Sequence, residues 1–146
     1  MTDKHFTRLQ DCACFNVRKS SRIITQLFDH ALKPSGIKAT QFTLLGVLAN
    51  EGETAIKELA SSLGMDRTTL TRGIVRLETK GLIKSRAGDD ARKRFVALTT
   101  QGIKKLNDTI PYWEKAQDAV EKQLGENFFA FLNTLGTALE PQQTSL

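Results

Sequence analysis

The stretch from Ala55 to Gly102, AIKELASSLGMDRTTLTRGIVRLETKGLIKSRAGDDARKRFVALTTQG, constrains the fold more than any other part of the chain. Ile56, Leu59, Ala60 and Leu63 stand at i, i+3, i+4 and i+7, the apolar stripe of a short amphipathic helix. Gly64 follows where a helix end needs a left-handed backbone, and Asp66 is suited to cap a second helix that Gly81 can end. Leu82 to Arg86 and Phe95 to Leu98 read as two short strands joined by a polar loop. Helix, tight turn, helix and basic hairpin, in that order, place one helix in a DNA major groove and a ribbon beside it.

Charge supports the same reading. From Arg67 to Lys105 there are eleven Lys/Arg against Glu78, Asp89 and Asp90, or +8 in a chain whose total is +5, so the remainder carries −3. Concentrated positive charge over a helix-turn-helix pattern points to a polyanion. At about 100° per residue, Leu70, Ile74 and Leu77 cluster on one side of the second helix, towards the core. Thr68, Arg72, Val75 and Arg76 fall on the other side, flanked by Thr69 and Thr71. An ordinary solvent face mixes signs, yet Glu78 is the only acid from Arg67 to Gly81. Arginine suits guanine edges, threonine suits phosphates or thymine methyls, and amides near Arg67 and Thr68 can hold a phosphate. In the hairpin loop, Gly88, Asp89 and Asp90 form turns, while Arg92, Lys93 and Arg94 bring cations to the tip, within reach of a minor groove. Arg86 is a further candidate contact. Asp90, out of place beside DNA, is expected to pair with Arg86 or Arg92 and fix the wing's shape.

The flanks read as helices. An opening helix is expected from about Thr7 to Leu32, ended by Lys33-Pro34-Ser35-Gly36, and another from about Thr40, a plausible N-cap, to Asn50-Glu53. A long helix should begin at Thr99 or Thr100 and reach about Leu124, with a kink or break at Pro111. After Gly125, Phe128, Phe131, Leu132, Leu135 and Leu139 make the stripe of a last helix, and the tail beyond Pro141 is expected to fray. These terminal stripes are broader than a small winged core can cover. Packing them together and against a second copy would bury them, making a homodimer with two DNA half-sites.

Here the chain resembles the MarR family of winged-helix bacterial transcription regulators. The resemblance rests on LASSLGMDRTTLTRGIVRLETKGLI, the wing signature D-x-R at Asp90 and Arg92, the following VALTTQG, and LFDHALKPSGIKATQFTLL at Leu27 to Leu45. It implies a mainly α fold with a small β-hairpin wing, one domain over 1–146, with a winged helix-turn-helix core at about 40–99 and dimerisation helices at about 7–33 and 100–140. It further implies a homodimer on a pseudo-palindromic operator of double-stranded DNA, acting as a repressor of adjacent genes. A small aromatic effector between the dimerisation region and the winged core would release the DNA. By position the base-reading helix is Asp66 to Thr79, and Arg92 is the wing arginine.

Cys12 and Cys14 are the only cysteines. Two apart on a helix they would point about 200° from each other, too far to close a relaxed disulfide or chelate one metal. A cysteine in this place can be a small buried hydrophobe. The segment CFNVRKSSR at Cys14 to Arg22 is also similar to the sensing helix of organic-hydroperoxide-responsive MarR repressors, whose reactive cysteine falls on Cys14. The chain departs from that branch at Phe28 and Arg18, where tyrosines are expected, and its only tyrosine is Tyr112. Arg18 or Arg22 close to the thiol would favour its thiolate.

Other classes find little support. There is no Gly-rich phosphate loop, metal-ligand cluster or Ser/His/Asp context, so no enzyme and no cofactor are expected. His5 lies near an end and His30 at a helix C-terminus, where it suits the helix dipole. Asp29 and Arg22 could line a pocket. An architectural DNA binder using charge alone is the alternative of a different kind. No run of 18 apolar residues and no signal peptide is present, which makes a cytoplasmic protein without membrane contact the expectation.

Overall fold

A computed structural model describes residues 8–90 and 92–138, apart from the side chains of Leu9 and Ala138. Six α-helices and a small antiparallel sheet make up the fold: α1 (Ala13–Leu32), α2 (Ala39–Glu51), β1 (Thr54–Ala55), α3 (Ile56–Leu63), α4 (Arg67–Thr79), β2 (Ile83–Ala87), β3 (Arg94–Leu98), α5 (Thr100–Leu124) and α6 (Glu126–Ala138). The expected mainly α fold with a hairpin wing is what is found. His5, Thr7, Leu139 and the tail after Pro141 lie outside the described residues.

The core sits where α2, α3 and α4 meet the sheet. Leu45, Leu59, Leu70, Leu77 and Val96 are fully buried there, with Leu48, Ile74, Leu82 and Ile83 beside them. Leu70, Ile74 and Leu77 thus point inward as their spacing requires. Between α3 and α4, Gly64 adopts φ 59°, ψ 33°, and its amide closes α3 on the carbonyls of Ala60 and Ser61. A side chain there would be strained, so the tight turn needs glycine.

The sheet runs β1-β3-β2, with Ile83 opposite Leu98 and Ala87 opposite Arg94. Strand β1, two residues long, was not foreseen, because so short a strand has no periodicity to read. It pairs Thr54 with Val96 and Ala55 with Phe95.

The helix ends needed three corrections. First, α2 begins at Ala39 with Lys38 as N-cap, not at Thr40. Asp29 of α1 accepts from the Ala39 amide (2.8 Å) and Gln41 Oε1, in the first turn of α2 itself, from the Lys38 amide (3.0 Å), so a carboxylate from another helix and a local side chain satisfy the donors at this end. Second, α5 runs unbroken across Pro111. Pro111 and Asn107, the residue whose carbonyl it leaves unpaired, are both exposed, so water can replace the lost bond while buried Leu106 and Ala116 hold the helix on either side. Third, the opening helix is split: Arg8–Asp11 is a 3-10 turn, and Cys12 is the extended N-cap of α1 (φ −66°, ψ 116°). The 200° helical separation of the two thiols therefore does not apply. Both cysteines are free, Cys12 half-buried and Cys14 exposed, so Cys14 is not a core hydrophobe.

Gly102 joins the long helix to the winged core. Thr99 caps α5 by accepting from the Gly102 amide (3.0 Å) and donates to the Gly81 carbonyl (2.7 Å). The Gly102 backbone lies so close to Leu82 that a Cβ would stand 1.9 Å from the Leu82 carbonyl oxygen. Outside this junction α1 packs on α2 and α5, and α6 on α5. Phe15, Val17 and Ile23 of α1, Leu124 of α5, and Phe131 and Leu132 of α6 stay exposed.

Candidate nucleic-acid interface

Helix α4 is built to present one polar face. Asp66 caps it with both carboxylate oxygens, accepting from the Thr69 amide (2.9 Å) and the Thr69 hydroxyl (2.6 Å). The Thr69 hydroxyl, followed by its amide, holds the Asp66 carboxyl below the usual range. Thr71 donates back to the Arg67 carbonyl (2.7 Å). Asp66, Thr69 and Thr71, candidate DNA contacts from the sequence, therefore spend their polar groups within the helix, although all three remain exposed. Thr68, Arg72 and Arg76 are exposed, and none makes a side-chain hydrogen bond or ion pair with another described residue. Val75, 54% exposed, lies among them. The outward face of α4 is thus an open set of one hydroxyl, two guanidiniums and one apolar group.

The wing meets the start of this helix. A cleft of about 300 Å³ is lined by Ala55, Lys57 and Glu58 of the first turn-helix region, Arg67 at the start of α4, and Arg92, Lys93, Arg94 and Phe95 of the wing. Five cations against one carboxylate, in a concave site beside a helix N-terminus, form a place for phosphate. Asp90 accepts from the Arg92 amide (3.0 Å) and stands 3.8 Å from its Nε. Of the two partners expected for Asp90, Arg92 is the one it meets. Ala91, between them, is outside the described residues.

Arg86 has a different partner. Its guanidinium crosses the Phe95 ring, 4.8 Å from the centroid, and ends on Glu53 with Nε to Oε2 at 2.9 Å. The Glu53 hydrogen bond raises the Arg86 pKa, and Arg86 in turn lowers that of Glu53. Arg86 on β2, Phe95 on β3 and Glu53 beside β1 span the sheet, so this arginine is a strut of the wing rather than a free contact. Glu53 was missed from the sequence because it lies 33 residues from Arg86, and only the sheet order brings them together. Arg94 likewise is not free: its Nη2 donates to Ser85 Oγ at 2.6 Å.

Away from this surface, no helix among the described residues is long and apolar enough to cross a membrane. No cluster of His, Cys, Asp or Glu among them could hold a metal ion. His30 is exposed in the last turn of α1, and Asp29 is spent on α2.

Known proteins match this arrangement. Residues 35–93 match the MarR family. The chain is similar to the transcriptional regulator MosR of M. tuberculosis, solved in complex with DNA, at 36% identity over 87% of this chain and 95% of that one, with a TM-score of 0.80. An uncharacterised HTH-type transcriptional regulator of Bacillus subtilis, YwoH, is 34% identical over 63% of this chain and 67% of its own length. The organic hydroperoxide resistance transcriptional regulator of Bacillus subtilis is 29% identical over 91% of this chain and 90% of its own. Helix-turn-helix, basic wing and whole-chain likeness agree: the chain belongs to the MarR family of transcriptional regulators, binds DNA and is not an enzyme.

Proposed function

We propose that the protein is a homodimeric repressor that holds a pseudo-palindromic operator and is released by a small aromatic effector. The open face of Thr68, Arg72, Val75 and Arg76 beside the basic wing cleft carries the reading. Thr68, Arg72 and Arg76 read bases in the major groove, while Arg67, Arg92 and Lys93 hold phosphates or the neighbouring minor groove. The residue range 1–146 acts as one unit, with about 40–99 reading DNA and the helices at about 7–33 and 100–140 pairing two copies. The exposed apolar side chains of α1, α5 and α6 supply the surface for that pairing.

Effector release finds support in a cleft between the terminal helices and the winged core. Ile24, Thr25, Phe28, Leu32, Ala39, Phe42, Thr43 and Trp113 line about 230 Å³, and Phe42 stacks on Trp113 at 5.9 Å. Its size and aromatic walls suit a single-ring molecule. Selection of operator from random duplexes tests the reading: one recovered palindrome, bound by two chains, is the expected result. Recovery of no preferred sequence would leave only charge-based architectural binding.

A second reading rests on Cys14, whose thiol is exposed in the first turn of α1. A relative of this chain is named for organic hydroperoxide resistance. In this reading oxidation at Cys14, rather than a bound ring, releases the operator. Peroxide titration of the operator complex with wild type and C14S decides it: equal release of both proteins removes Cys14 from the mechanism.

A further inference from the structure

Glu78 is the one carboxylate of α4, and it faces the wing. Ser85 of β2 donates its hydroxyl proton to Glu78 Oε1 at 2.5 Å. Ser85 Oγ in turn accepts from Arg94 Nη2 of β3 at 2.6 Å. Strand alternation explains the meeting: Ser85 and Ala87 share a sheet face, and Arg94 is paired with Ala87. Arg86 and Phe95, with their strut to Glu53, occupy the opposite face. A hydroxyl has one proton to give and lone pairs to receive with, so Ser85 can link an anion to a cation. With opposite charges at its ends, each bond in such a chain strengthens the other.

We propose that Glu78, Ser85 and Arg94 form a bridge that sets the angle of the wing to the recognition helix, making them positioning residues for DNA binding. The proposal rests on the reading of the wing as a DNA contact. Helix α4 and β2 are joined by only Lys80, Gly81 and Leu82. Buried Leu77, Ile83 and Val96 pack helix and sheet together in the core, and the Glu78–Ser85–Arg94 chain adds a directional polar tie where the hairpin leaves that core. The bridge ties the last turn of α4 to both strands of the hairpin. Helix and wing bind in adjacent grooves as two linked sites, and the second gains from the first only when its geometry is held. The bridge also neutralises the single carboxylate of a helix that faces a polyanion.

Equilibrium binding to the selected operator duplex, measured over a range of salt, tests this with Ser85→Ala, Ser85→Thr, Lys93→Ala and the S85A/K93A pair. S85A is expected to weaken operator binding about tenfold and to flatten the salt dependence, as loss of wing phosphates requires. S85T keeps the hydroxyl and should return binding to within about twofold of wild type. K93A should weaken binding in the wild type and much less in the S85A background, because a displaced wing no longer uses Lys93. Equal K93A losses in both backgrounds overturn the bridge while leaving the wing contact standing. A K93A protein with wild-type affinity and salt slope overturns the wing contact and, with it, the bridge. Should S85A fail to fold, Glu78→Ala cuts the bridge from the helix side and is read by the same criteria.

Discussion

Replacing Gly102 with alanine strikes the junction between the long helix and the winged core. A Cβ at this position would stand 1.9 Å from the Leu82 carbonyl oxygen and 3.2 Å from Leu98 Cδ2. Carbon and carbonyl oxygen rest at about 3.3 Å, so α5 and the start of β2 must part by roughly 1.4 Å. That opening exceeds the few tenths of an ångström over which a hydrogen bond can stretch. It breaks the Thr99 amide bond to the Leu82 carbonyl (3.1 Å) and the Thr99 hydroxyl bond to Gly81 (2.7 Å). Overpacking of this kind costs about 1–3 kcal/mol. Each lost hydrogen bond adds about 0.5–1.5 kcal/mol, which gives about 2–6 kcal/mol in all. Urea unfolding at fixed protein concentration, with midpoint and slope fitted separately, measures it. The variant should unfold at a lower midpoint and, if its fold survives, bind operator more weakly. A loss below about 1 kcal/mol with an unchanged slope would refute the reasoning, because it would mean the junction opens without penalty.

Arg72→Ala and Arg76→Ala should each lose about 1–3 kcal/mol of operator binding and relax preference at one base position, whereas full discrimination in either variant removes that residue from base reading. Asp66 caps α4 as a carboxylate whose pKa is lowered in the folded state. Its contribution is therefore present above the unfolded value of about 3.9 and is lost as pH falls through the lower folded value. The stability gap between wild type and Asp66→Ala should be full at neutral pH and close in acid, and a gap that does not vary with pH contradicts the cap. Asp90→Ala removes the acceptor for the Arg92 amide at 3.0 Å. Operator affinity should fall with the wing's share of binding, and a D90A protein that binds like wild type would show that the turn keeps its shape without this residue.

Local chemistry made much of the site legible. Asp66 as N-cap, Gly64 in the turn and the inward set Leu70, Ile74 and Leu77 depend on residues within about one or two helical turns of each other, so propensity and periodicity expose them. The outward placement of Thr68, Arg72 and Arg76 follows from the same geometry. The cases that eluded such reading involve partners far apart in the chain. Arg86 looked like a free cation until the sheet brought Glu53 and Phe95 to it. Arg94 looked like a wing-tip contact, yet Ser85 receives it, and α2 starts at Ala39 because a carboxylate from α1 reaches its amide.

The helix-turn-helix with its basic hairpin is legible in the chain itself, because short-range spacing decides which side chains share a helix face. Which cations stay uncommitted and which are struts depends instead on contacts between residues far apart in the chain. A guanidinium is committed by whatever carboxylate, ring or hydroxyl the fold sets within about 3–5 Å of it, and no local pattern encodes that neighbour. Thr68, Arg72 and Arg76 stand exposed on the face their spacing gives them, while Arg86 and Arg94 are bonded to Glu53 and Ser85 within the wing.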